Sequence, residues 1–133
     1  MTAMPANWSY RTCRRWLWLA RSPTSRPRRF AVEYKTDHLA ARTGNAFIET
    51  ISVDVEQKAG WAFTAQADLL LYYVPGLSQV YVLRTTALRA RLPFWLLAHE
   101  VQQVSNRGYQ THGLLVPLAE LANCAQKVLH CPS

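Results

Sequence analysis

The chain has 133 residues, half of them hydrophobic and 17% charged, with a formal net charge of +7. That length suits one domain with its own core rather than two. The composition excludes a disordered chain, and no apolar run approaches the roughly 18 residues of a membrane span. The charge is uneven: seven of the fifteen basic residues and none of the eight acids fall within residues 1–29. The body from residue 30 onward is neutral, so a high isoelectric point by itself says little about nucleic-acid binding.

Residues 7–21 read as a short helix, with Asn7 or Ser9 as its cap. Residues 22–29, with two prolines among small polar and basic residues, read as a linker. The expected division is a basic, poorly ordered N-terminal tail or extension over 1–29 and one domain over 30–133. Arginine and serine without acids also fit a targeting segment, and translated sequence upstream of the true start is a further alternative. The three cysteines, Cys13, Cys124 and Cys131, are odd in number and not closely paired, which fits a reducing, cytoplasmic setting. Cys124 and Cys131 share a face if the last helix runs that far, but two thiols without further ligands make a poor zinc site.

Two strands follow, over 30–36 and 45–53, joined by a short helical turn and the turn signal Gly44-Asn45. Side chains two apart in a strand share a face. Glu33, Lys35 and, if the strand extends, Asp37 therefore project one way, and Phe30, Val32 and Tyr34 the other. On the second strand Glu49 shares its face with Phe47, Ile51 and Val53. A carboxylate among large apolar groups needs a cation, a donor or a metal beside it, which makes Glu49 the most informative acid in the chain.

Residues 54–60 read as a polar loop and 61–67 as one or two helical turns. Residues 68–74 form a near-continuous apolar run, as in a central strand covered on both faces. Pro75-Gly76 turns the chain, and 79–83 pairs back. A helix begins at Arg84 and is interrupted by Pro93, and a second helix runs from Phe94 to Val104. A short strand over 112–116 and a last helix from Leu118 to about Leu129 complete the pattern. Alternating strands and helices predict an α/β fold with a single mixed sheet flanked by helices.

Three stretches, Val32-Glu-Tyr-Lys-Thr-Asp37, Thr43-Gly-Asn-Ala-Phe-Ile-Glu49 and Ala67-Asp-Leu-Leu-Leu-Tyr-Tyr73, resemble in that order the PD-(D/E)XK, or restriction-endonuclease-like, nuclease superfamily. The likeness is to small, uncharacterised members and covers roughly residues 30–75, or at its widest to about 120. It implies a restriction-endonuclease-like fold and divalent-metal-dependent hydrolysis of phosphodiester bonds in DNA or RNA. By the same resemblance Glu33 and Lys35 are catalytic, and Glu33, Asp37 and Glu49 hold Mg2+ or Mn2+. One departure stands out. The superfamily places a metal-binding aspartate on the preceding strand, and Glu33 is the first acid here. Asp37 or Glu49 replaces it, or the N-terminus is not the natural one, or the protein is a degenerate member.

Period-two spacing alone also suits a solvated strand face on which Glu33 and Lys35 have no special role. The alternative function is accordingly a non-catalytic nucleic-acid-binding or protein-interaction module that keeps the fold. Arg28, Arg29 and Arg42 are the expected nucleic-acid contacts, no membrane is involved, and a homodimer is left open. Asp68 reads as a backbone acceptor. Trp61 reads as a core anchor more readily than as a base-stacking platform. His38 reads as a solvated loop residue, while His99 and His112 have no partner visible in the sequence.

Overall fold

The computed structural model describes residues 13–19 and 28–132, with side chains from Phe30 onward. Two sheets form among these residues. The first holds, in spatial order, β1 (Cys13–Leu19), β2 (Arg28–Thr36), β5 (Leu69–Val74), β6 (Gln79–Arg84) and β9 (Lys127–His130). The second holds β4 (Lys58–Ala59), β3 (Asn45–Val53), β8 (Gln110–Pro117) and β7 (Val101–Ser105). Four helices accompany them: α1 (Ala40–Thr43), α2 (Trp61–Thr64), α3 (Thr85–Ala98) and α4 (Leu118–Cys124). The α/β class is as expected. The single sheet is not, because β3 leaves the sheet that contains β2. No helix among the described residues is long and apolar enough to cross a membrane.

The cause of the split lies in the link after β2. The carboxylate of Asp37 accepts the amides of Leu39 and Ala40 at 2.9 and 3.0 Å and so turns the chain into α1. Gly44, at φ 75, ends that helix in the left-handed conformation and donates its amide to the Ala40 carbonyl. The chain leaves this compact turn aimed away from the first sheet. It builds β3, β4 and α2 before β5 returns to lie parallel to β2, with Glu33 opposite Leu70 and Lys35 opposite Tyr72. Parallel neighbours need a crossover of a dozen or more residues, and here part of the second sheet lies within it.

The core fills the space between the sheets. Leu70, Tyr72 and Val74 from β5, with Tyr81 and Leu83 from β6, meet Ala46, Ile48, Leu114 and Val116 from β3 and β8. Helix α3 contributes Leu88, Leu92 and Trp95, and α4 contributes Leu121. Asp68 ties the start of β5 to β2 by accepting the Ala31 amide at 2.8 Å.

Several boundaries depart from expectation. Residues 13–19, expected as helix, form β1, paired antiparallel with β2 from Cys13–Tyr34 to Leu19–Arg28. A first-sheet edge thus recruits a stretch rich in tryptophan and leucine that a strand accommodates well, and the ordered sheet begins before residue 30. Pro93 does not break the helix but lies inside α3. It faces outward, where the carbonyl left without an amide partner can bond water. Helix α3 instead ends at Ala98, and Val101–Ser105 pairs with β8 as an edge strand. The last helix stops at Cys124, and Lys127–His130 pairs with β6. Cys124 and Cys131 therefore do not share a helix face.

Candidate functional site

Strand β2 turns Glu33 and Lys35 toward the interior, beside Leu70 and Tyr72 of β5. Both are buried, at 3% and 4% exposure, so the solvated-face reading of this pair is overturned. The Lys35 ammonium lies 3.0 Å from Glu33 Oε1 and 5.4 Å from the centre of the Trp61 ring, a cation–π distance. The other carboxylate oxygen, Glu33 Oε2, is buried and has no hydrogen-bond partner among the described residues.

Glu49 reaches the same neighbourhood from the second sheet. Thr50 is an extra residue in β3: Glu49 lies opposite Gly113, whereas Ile51 lies opposite His112. Such a bulge re-aims the side chains beside it, and the alternation changes phase there. Glu49 keeps the face of Phe47 but not that of Ile51, which corrects the unbroken alternation expected from the sequence. Glu49 Oε1 accepts the Trp61 amide at 3.3 Å. Burial pushes its carboxyl above the ordinary 4.5, and the Trp61 amide, the Lys35 charge and the Lys58 charge pull the other way. Lys35 thus serves two acids, in an ion pair with Glu33 and within electrostatic reach of Glu49.

The raised value has a definite linkage sign. The native state holds a proton on Glu49 at a pH where the unfolded chain has released it. This contribution to stability is full below 4.5 and is lost as pH rises through the folded value. Glu49→Gln removes that loss. Urea denaturation across pH 4 to 8 should show the variant gaining on the wild type as pH rises. Parallel curves would contradict the assignment.

Gly60 holds the Trp61 amide against Glu49. A Cβ at Gly60 would lie 2.5 Å from the Glu49 carbonyl oxygen and 2.7 Å from its Cγ. The obstructing atoms include backbone, so relief requires β3 and α2 to part. Gly60→Ala is expected to cost ~1–3 kcal/mol, measured by urea denaturation. A loss near zero would show that α2 can shift freely.

Asp37 plays a different part. In addition to the Leu39 and Ala40 amides on Oδ1, its Oδ2 accepts the Phe47 amide at 3.2 Å and the Tyr72 hydroxyl. Four donors occupy the carboxylate, which ties the end of β2 to α1, β3 and β5. Of the expected metal set of Glu33, Asp37 and Glu49, Asp37 is the member whose oxygens already accept protein donors. Among the described residues no three His, Cys, Asp or Glu side chains gather as a metal group. Arg42 is exposed on α1. Arg28 and Arg29 belong to β2 by backbone, and their side chains fall outside the described set.

Other ionisable groups pair elsewhere. His99 Nε2 lies 2.7 Å from Glu120, and His112 Nε2 lies 3.5 Å from Asp54. These partners are 21 and 58 residues apart in the chain, and no local spacing signals them. His38 is exposed, and Trp61 is buried at 5% exposure, so it anchors the core as expected.

The fold and this cluster define a mixed α/β protein with two sheets and a buried Glu–Lys pair flanked by a second acid. Compared with protein-family models, curated proteins and solved structures, the chain matches none.

Proposed function

We propose that the protein is a restriction-endonuclease-like, divalent-metal-dependent nuclease acting on DNA or RNA through Glu33, Lys35 and Glu49. One observation carries the reading: Glu33 Oε2 is buried with no donor among the described residues, and the lysine paired with its other oxygen also lies within electrostatic reach of Glu49. A dry anionic oxygen is costly, and a cation is the partner that relieves it. Two carboxylates are enough protein ligands for Mg2+ or Mn2+, because Mg2+ keeps waters and shares substrate phosphates. Glu33 and Glu49 would hold the ion, which supplies charge neutralisation at the phosphate. Lys35 orients a water and keeps a positive charge near the developing oxyanion. Arg42, with Arg28 and Arg29, would contact the nucleic-acid backbone through counterion-releasing, salt-sensitive pairing.

The test uses the full chain with duplex DNA, single-stranded DNA and RNA, each with Mg2+, Mn2+ or chelator. Metal-dependent cleavage is expected to fall ~100-fold or more in Glu49→Gln, a variant whose folding burial does not oppose. Equal rates in wild type and Glu49→Gln would remove the proposal. The deep burial of Glu33 and Lys35 favours a second reading, a non-cleaving nucleic-acid-binding or protein-interaction module. Salt-dependent binding without cleavage under any of these conditions would select it.

A further inference from the structure

A cavity of about 570 Å³ opens at the end of the first sheet, where β5 begins and β6 runs into α3. Four hydrogen bonds fix its frame. The Asp68 carboxylate accepts the Ala31 amide at 2.8 Å, and the Asp68 carbonyl accepts the Thr85 amide at 3.2 Å. The Thr85 hydroxyl donates to the Ala67 carbonyl, and Arg89 Nη2 donates to the Ala65 carbonyl. These bonds tie β2, the 65–68 segment and α3 together before any ligand arrives, which lowers the cost of ordering a site.

Two arginines, Arg84 and Arg89, line this cavity. Neither forms an ion pair with a described acid. Arg84 is exposed and Arg89 half-buried, and Arg89 Nε is buried with no acceptor among the described residues. A guanidinium carries several donors in a fixed fork, so the Ala65 carbonyl meets only part of what Arg89 offers. Asp68 is the one acid on the cavity wall, and its carboxylate is already taken up with the Ala31 amide. Thr85 and Thr86 begin α3 here, with no side-chain cap and no acid in the first turn. The helix dipole therefore adds to the arginines.

Charge and shape together select the ligand. A phosphate monoester presents more acceptor oxygens and nearly twice the charge of a carboxylate, which suits two guanidinium forks and the Thr86 hydroxyl. A phosphate alone fills little of a cavity whose volume lies in the range of small-molecule sites. The remaining wall includes the apolar side chains of Phe30 and Leu69, with the exposed amides of Gln66 and Gln126 beside them. An apolar surface edged by groups that both donate and accept suits a nucleobase. We propose that this cavity binds a nucleoside monophosphate, with the phosphate at Arg84 and Arg89 and the base toward Phe30. Its source is either a free mononucleotide or the phosphorylated end of a nucleic-acid strand. The site is separate from the Glu33–Lys35 pair and does not depend on cleavage there.

Isothermal titration calorimetry on the full chain, with chelator present to keep the result independent of metal-dependent cleavage, tests this. AMP should bind, and adenosine should bind about tenfold more weakly or worse, because it lacks the charged group. Arg84→Ala should weaken AMP about tenfold with an unchanged circular dichroism spectrum, since Arg84 is exposed. Arg107→Ala removes the same charge from the exposed loop after β7 and should leave binding unchanged. Short oligonucleotides with and without a terminal phosphate separate the two sources. Tighter binding of the phosphorylated strand than of AMP assigns the site to strand ends, and the reverse order assigns it to the free nucleotide. The proposal is overturned if neither AMP nor the phosphorylated strand binds at millimolar concentration, or if the phosphate-free counterparts bind as tightly. Equal losses in Arg84→Ala and Arg107→Ala also overturn it, because the attraction is then bulk charge. Inorganic phosphate binding as tightly as AMP overturns the role of Phe30 and the two glutamines.

Discussion

Replacing Lys35 with alanine is expected to destabilise the protein by ~3–5 kcal/mol. The ammonium is 3.0 Å from Glu33 Oε1, both side chains are 5% exposed, and the other Glu33 oxygen has no donor among the described residues. Removing the cation leaves a carboxylate in a dry site with no other cation to offset its lost hydration among the described residues. Removing both charges is a different matter. Glu33→Gln combined with Lys35→Met keeps the volumes and abolishes the desolvation cost, so the double variant should recover most of the loss. Urea denaturation of the wild type, Glu33→Gln, Lys35→Met and the double variant closes the cycle, with Lys35→Ala measured beside them. A Lys35→Ala loss below about 1 kcal/mol would mean that the pair is wet like an exposed one, and the dry site argued above would be wrong.

The same pair shows what could be read from residue order alone. Period-two spacing placed Glu33 and Lys35 on one face, and they share it. Whether that face is wet depends on what packs over it, and the cover comes from Trp61 and β3, far along the chain. The strands at 69–74 and 79–84 were legible because β5 is a run of leucine and tyrosine followed by a tight turn, whose antiparallel return is a local event. The second sheet was not. Alternation identifies strands, but their neighbours are chosen by the turn that Asp37 nucleates, and one aspartate after a strand has no distinctive signature. The Thr50 bulge was equally hidden, since an extra residue shows only against a partner strand. Helix α3 was misread because apolar residues on both sides leave little contrast to carry its phase through Pro93. Lys127–His130 is short enough for its Val-Leu pair to suit either period, and the free edge of β6 decided the outcome.

Asp37 is where the restriction-endonuclease-like expectation and the observed chemistry diverge most, and its removal separates them. Three backbone amides and the Tyr72 hydroxyl point at its carboxylate, and Asp37 itself is 1% exposed. Asp37→Ala leaves four buried donors in a cavity that the β2–α1–β3 link cannot easily close. A cost of ~3–5 kcal/mol is expected, since hydrogen bonds to a charged group contribute ~1.5–3 kcal/mol each and such losses are not additive. Tyr72→Phe removes one donor, leaves the other three in place and should cost ~1.5–3 kcal/mol. Because the two act through one carboxylate, Tyr72→Phe should add little on top of Asp37→Ala. A metal-ligand role makes the opposite forecast. Asp37→Ala would then leave metal-free stability nearly unchanged and abolish stabilisation by Mg2+ or Mn2+, because a ligand that binds only the native state raises its stability by mass action. Denaturation with and without added metal distinguishes the two. The hydrogen-bond geometry favours a large, metal-independent loss, with the link after β2 being the part of the fold that gives way.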